Sequence, residues 1–511
     1  MTKSLSKAIA LATALGAAAS AHAVNVNQDG LGEVLLYSLY TVEEGNATNV
    51  SITNTTGEAK AVKVRFVEGQ NSREFLDFNL YLSAYDQWSG AVVRTDDGAR
   101  LVTADKSCTL PEIKKEGVEF REFAYVGDGG EQSLARTRVG HIEMIEMGVV
   151  DQATAALVTA DHNVAGSAPA GCDALRDRFT KKDGIWSSSN PDKNLVAGFL
   201  ASTEAEGKTG GLYGSATVLN IEGSTQIAYD AVAIDNFMTD YANGPKPIHT
   251  FTGSLSPSLV EGGNSIATFK NGSQLEFDES ASAISALLMK QEISNDFALD
   301  EGRNSKTNWV VTFPTKRFHV NVDFLKDAAG NEILDGNGQP IPAYDTILPP
   351  FVNAWNAGKS CHAISISKWD NEEYSPKEVE GDSDIDFSPM PPVIPGVVTV
   401  PNLCYETNVL TFNQGKVLGG DLVTYDMTLA QPEYRFGWMK IGFAGMETAP
   451  GTYEAYELEG YNLDTDLDEV VAGLPVIGFS AVTISNGKAA NGAMNNYGSS
   501  TSHKASTSRD H

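Results

Sequence analysis

The chain has 511 residues, 41% of them hydrophobic and 9% aromatic, too apolar for a disordered matrix polymer and too long for one ordinary core. Its 66 Asp and Glu against 37 Lys and Arg leave a net charge of −29. Such a field repels nucleic acid and anionic lipid and attracts divalent cations.

The first 23 residues have three zones. Lys3 and Lys7 give a positive start, Ala8–Ala19 is an unbroken run of small and apolar residues, and Ala21-His22-Ala23 is an A-x-A cleavage signature. The run falls short of the about 20 residues that cross a bilayer, so it predicts a secretory signal and not an anchor. Loss of Lys3 and Lys7 takes the charge to −31. No later stretch is apolar enough for a transmembrane segment, so the expected product is secreted and soluble or peripherally attached.

The dominant period beyond residue 24 is two. Val62, Val64 and Phe66 alternate with Lys63 and Arg65; Leu76, Phe78, Leu80 and Leu82 with Asp77, Asn79 and Tyr81; Phe318, Val320, Val322 and Phe324 with His319, Asn321 and Asp323. Each run predicts a strand with one buried and one wet face. Further strands are expected over Val34–Tyr40, Asn49–Asn54, His141–Glu146, Tyr213–Ile221, Gln226–Ile234, Trp309–Phe313, Asn408–Phe412, Leu422–Leu429, Trp438–Phe443 and Val476–Ile484. Turn signals such as Asn54-Thr55-Thr56-Gly57 and Asn271-Gly272 separate them. Helices are expected only over Cys172–Phe179 and Ser280–Gln291, where Ile284, Leu287 and Leu288 share a face. The fold class is therefore all-β, with two or more antiparallel β-sandwich domains and few short helices.

Four cysteines in an exported chain predict two disulfides. Three pairings are possible; Cys108–Cys172 and Cys361–Cys404 each close a moderate loop within one half. The expected organisation is a signal over 1–23, a β-sandwich region over 24–300, a β-rich region over 301–490, and a flexible polar tail over 491–511.

Catalytic signatures are absent. There is no G-x-S-x-G and no H-E-x-x-H. Gly207-Lys208-Thr209 ends like a phosphate-binding loop, but its leading glycine would fall at Ser202. Ser365 to Lys368 fits S-x-x-K, yet Ser365 lies in a predicted strand, where the nucleophile of that motif needs a helix. No two histidines share ligand spacing, and His319 is expected on the polar side of its strand.

Acidic clusters are the candidate metal residues: Asp382, Asp384 and Asp386 after Glu378 and Glu380, and Asp464, Asp466 and Asp468 before Glu469. Alternating carboxylates on a loop supply oxygens for calcium, the one expected cofactor. Neither run is an EF-hand: Phe387 or Glu469 stands where the turn glycine belongs, and Val393 or Pro475 where the last Glu belongs. Tyr81, Tyr85 and Trp88 are candidate exposed aromatics for stacking on sugars.

Gly32–Gly45 (GEVLLYSLYTVEEG) and Asn54–Ser83 (NTTGEAKAVKVRFVEGQNSREFLDFNLYLS) resemble a family of exported proteins of marine gammaproteobacteria that includes a surface-layer and biofilm-matrix protein. The resemblance extends through Arg136–Gly148, Leu403–Val409 and Gly473–Phe479, most of the chain beyond the signal. It carries no catalytic residue. It implies a coat of identical subunits in a lattice or matrix outside the outer membrane, with lipopolysaccharide as a further partner through divalent cations. The competing expectations are a secreted adhesin or glycan-binding β-sandwich protein and, behind it, a hydrolase using a carboxylate pair.

Overall fold

The computed structural model describes residues 23–160, 167–179, 197–240, 243–250, 253–321, 349–372, 401–429, 434–449, 452–488 and 494–509. The alternating runs form strands, and the pairing is almost wholly antiparallel. Lys60–Glu68 lies between Glu74–Leu82 and Val139–Val149, and Val34–Thr41 pairs with the far side of Val139–Val149. These four centre a seven-stranded sheet. Asn46–Asn54, between Gln87–Arg94 and Leu212–Asn220, centres a six-stranded one. Val62, Val64, Phe66 and Leu80 of the first sheet meet Val50, Ile52, Trp88 and Val92 of the second in one buried cluster, so the two form a face-to-face sandwich.

A five-stranded sheet follows, built on Ser305–Thr312 between Thr407–Phe412 and Ile477–Lys488. One of its faces, with Val310, Val409, Phe479 and Ala481, belongs to the first core. Its other face, with Trp309, Val311, Leu410 and Phe412, packs on Ile293, Phe297, Met439 and Ile441 of a four-stranded sheet. No linker separates the regions at residue 300. An unbroken apolar run such as Trp309-Val310-Val311 is what a strand shared by two cores requires. The helix Ser280–Leu288 buries Ile284, Leu287 and Leu288 against Phe237, Leu275 and Phe277.

Three expectations are corrected. Lys316–Val320 is a helix, with Val320 and His319 buried; Phe324 lies outside the described residues. So short an apolar alternation does not separate the two periods. Gln226–Ile234 is two strands in different sheets, Thr225–Asp230 and Val232–Asp235. The polar segment 491–511 is no loose tail over its described part: Met494–Ser502 pairs with Ile477–Lys488, and Lys504–Ser506 with Glu292–Ala298. Ladder bonds need backbone only, and His503 supplies the anchor. Its ring lies 5.0 Å from that of Trp309, with Nε2 2.9 Å from the Val310 carbonyl oxygen.

Both favoured disulfides are present, Cys108–Cys172 and Cys361–Cys404. The first ties the helix Cys172–Phe179 over a small core of Tyr81, Leu110, Met147 and Leu175. Its removal by the double substitution Cys108→Ser, Cys172→Ser is expected to cost about 4 kcal/mol in urea unfolding, since it closes a 64-residue separation. An unchanged midpoint would show that this helix adds nothing to the global fold.

Candidate functional site

The acidic candidates divide. Asp382, Asp384 and Asp386 lie outside the described residues, as do Glu378 and Glu380. Asp464, Asp466 and Asp468 occupy the exposed tip of the hairpin formed by Glu457–Asn462 and Leu467–Ala472. They do not gather on one point. The Tyr461 hydroxyl donates to Asp466 Oδ1 (3.1 Å), while Asp468 stands opposite Tyr461 in the ladder. Glu469 turns away to Arg509 (2.5 Å). Among the described residues no three Asp, Glu, His or Cys side chains are disposed to hold a metal ion. The tip is instead a dense negative surface, because strand geometry sets neighbouring carboxylates side by side without folding them around a centre.

The aromatic candidates are mostly core. Tyr81 and Trp88 are fully buried, Tyr81 bonded to His249 (2.7 Å) and Trp88 packed on Phe78; only Tyr85, 74% exposed, faces solvent. The exposed aromatic feature lies elsewhere. Trp369 and Trp438 are cross-strand neighbours whose rings stack at 4.1 Å and 15° on the outer side of the four-stranded sheet. Trp438 is 38% exposed. The alternation of Trp438 and Lys440 with Met439 and Ile441 carries this signal in the sequence: the tryptophan sits on the wet phase of its strand.

Among the described residues, Ser365–Asp370 and Leu467–Ala472 are outermost strands of two different sheets, each with a ladder partner on one side. The first carries Trp369. The second exposes Leu467 (64%) and Val470 (47%). Unpaired backbone beside exposed apolar side chains is a template for pairing with another chain, and proteins that stay monomeric guard such edges.

The largest feature missed from sequence is a buried layer of charge. Lys63 and Arg65, expected on a wet face, are buried, because Thr250, residues 253–260 and the helix Lys316–Val320 cover that side of the seven-stranded sheet. Asn79 donates to the Thr250 carbonyl oxygen (2.8 Å) and Arg317 to that of Ser72 (3.0 Å). Lys63 pairs with Asp77, and Arg65 with Glu74 (2.7 Å). Glu143 lies 3.4 Å from Arg65, 3.6 Å from Arg317 and 4.0 Å from His141. Burial raises the Glu143 carboxyl, but Arg317 and Arg65 more than offset it and hold it low. Burial pulls His141 down to about 4, so it is neutral and Glu143 relies on the two arginines.

Next to this layer Glu406 accepts from Ser72 Oγ (2.6 Å), and Lys316 donates to the Ser360 carbonyl oxygen (2.6 Å). Burial pushes Glu406 up to about 8 and pulls Lys316 down to about 7. Perturbed groups often mark chemistry. These are sealed in the interior, and neither of two surface concavities, of about 500 and about 440 Å³, is lined by any of them. Their arrangement holds segments together across long sequence separations.

No protein-family model matches the chain, no curated protein is significantly similar to it, and no solved structure matches it significantly. Among the described residues no helix is long and apolar enough to cross a membrane.

Proposed function

We propose that this protein is a structural, self-assembling component of the bacterial exterior, a surface-layer and biofilm-matrix protein. Two unlike one-sided strands, Ser365–Asp370 and Leu467–Ala472, carry this reading. A contact between two different edges is heterologous, so each added copy presents a fresh edge and a row propagates, which cation bridges between rows extend to a sheet. Exposed Leu467, Val470 and Trp438 supply apolar area at the joints. No catalytic group takes part.

Further support comes from chemistry and from the resemblance of Gly32–Gly45 and Asn54–Ser83. Two disulfides suit an oxidising compartment, which agrees with export through the N-terminal segment. The net charge of −29 opposes close packing of copies. Divalent cations, calcium first, screen it and bridge acidic surfaces such as the 464–468 tip to one another and to lipopolysaccharide phosphates.

Negative-stain electron microscopy of the purified protein, with calcium and then with chelator, tests the proposal. Ordered sheets that dissolve on chelation are expected. Val470→Lys, which places a charge on one edge, is expected to abolish the sheets and leave the circular dichroism unchanged. Dispersed monomers under every condition would overturn self-assembly; sheets that survive Val470→Lys would overturn the role of this edge.

A further inference from the structure

The outermost strand of the six-stranded sheet, Thr225–Asp230, runs beside the outermost strand of the five-stranded sheet, Met494–Ser502. They form no ladder. Side chains join them: Asn496 Nδ2 donates to the Gly223 carbonyl oxygen (2.7 Å) and Ser500 Oγ to that of Ala228. The backbones come closest at Gly498, where a Cβ would fall 2.4 Å from the Gln226 carbonyl oxygen, so only glycine fits. Around this close approach the surface opens into a groove of about 440 Å³.

The lining is chemically selective. Ser224, Gln226, Asn496, Ser499 and Ser500 present hydroxyls and amides, and Tyr497 presents a ring that is 58% exposed. No lining residue is charged, on a chain whose net charge is −29. Asn496 Oδ1 is buried and accepts no hydrogen bond. Phosphate and carboxylate ligands need a cation that the groove lacks. A peptide strand needs a free ladder edge, and here the two edges face each other. An apolar ligand would leave the amides and hydroxyls dry and unpaired.

We propose that this groove binds a neutral saccharide chain. The C–H face of a pyranose ring stacks on Tyr497, a ring with one apolar face and one polar tip. The sugar hydroxyls exchange bonds with Gln226, Ser224 and Ser499. Few polar groups around one aromatic wall suffice to orient such a ligand. The site is independent of self-assembly: it lies between strands other than Ser365–Asp370 and Leu467–Ala472, and a lone monomer carries it whole.

Native affinity electrophoresis of the full chain tests it, in gels containing dextran, pullulan, laminarin, galactomannan or xylan. Retardation in at least one gel is expected, with the hexasaccharide of that polymer binding saturably in calorimetry. Tyr497→Ala is expected to weaken binding about tenfold or more, and Tyr497→Phe to keep it, since the stacked face is what matters. Tyr85→Ala, which removes a still more exposed ring elsewhere, is expected to change nothing. Tyr497 is a surface residue, so unchanged unfolding temperatures will show that the variants fold. Mobility unaltered in all five gels would overturn the proposal, and so would retardation that survives Tyr497→Ala.

Discussion

Arg136→Ala is expected to lower the stability to urea unfolding by about 4 kcal/mol, a large share of what a domain has. The guanidinium is fully buried. It bonds to Glu68 (2.8 Å) and forks onto both oxygens of Asp128 (2.7 and 2.8 Å), and its plane lies 4.6 Å from the Tyr125 ring centre. Burial raises the Asp128 carboxyl, and bonding and charge from Arg136 reverse that and hold it low. Alanine would take the guanidinium from the buried Glu68 carboxylate and leave Asp128 with only the more distant Arg73, 3.8 Å away. Damage would spread, because Glu68 also accepts from the amides of Gln70, Asn71 and Arg73 and so shapes the turn between two central strands. Asp128 is held in turn beside Trp355, whose Nε1 donates to its carbonyl oxygen (2.7 Å). Arg136→Lys is expected to recover less than half, since an ammonium cannot fork onto one carboxylate while bonding another. A loss under about 1 kcal/mol for Arg136→Ala would mean that water enters and solvates the pair.

Glu33→Gln is expected to change the pH dependence of stability by about 4 kcal/mol between pH 5 and pH 9. Glu33 is fully buried, with Glu146 and Asp235 among its neighbours and the Met238 amide donating to it (2.6 Å). Burial first, then the Glu146 charge, push its carboxyl up to about 8 from an unfolded value near 4.5. The folded state thus keeps a proton that the unfolded chain gives up. That contribution is whole below the unfolded value and is lost as pH rises through about 8. Glutamine imitates the protonated acid and does not titrate. The variant should therefore match the native chain near pH 5 and be the more stable one above pH 8. Denaturation midpoints at pH 5, 7 and 9 for both proteins decide the matter; profiles that stay parallel would show that Glu33 ionises normally in the fold.

Much of the architecture is legible along the chain. Val34–Thr41, Asn46–Asn54, Leu212–Asn220 and Thr407–Phe412 are strands within a few residues of their expected bounds, because alternation or an unbroken apolar run bounded by turn residues leaves few other ways to bury that surface. Cys172–Phe179 is a helix over the expected residues, and both cysteine pairs form within their halves. The candidate site is a different matter. Tyr81 and Trp88 look available in the sequence and are core; Trp369 and Trp438 drew no notice and stand on an outer face. An aromatic at a strand position faces one side or the other, and its neighbours in sequence do not say which side another sheet will cover.

The sequence by itself determined the all-β class and the phase of most strands, since each follows from interactions between residues close together; it favoured the disulfide pairs among three possibilities, and the structure decided between them. Only the tertiary structure decided which polar faces are wet. Lys63 and Arg65 alternate with Val62, Val64 and Phe66 as any solvated face would, yet Thr250 and residues 253–260 and 316–320 close over them. His503 sits in a run of serine and threonine and is nevertheless an anchor on Trp309 and Val310. Alternation requires that the two faces of a strand differ. Whether the polar one meets water or a matching set of charges depends on partners some two hundred residues away, brought there by the burial of other surfaces.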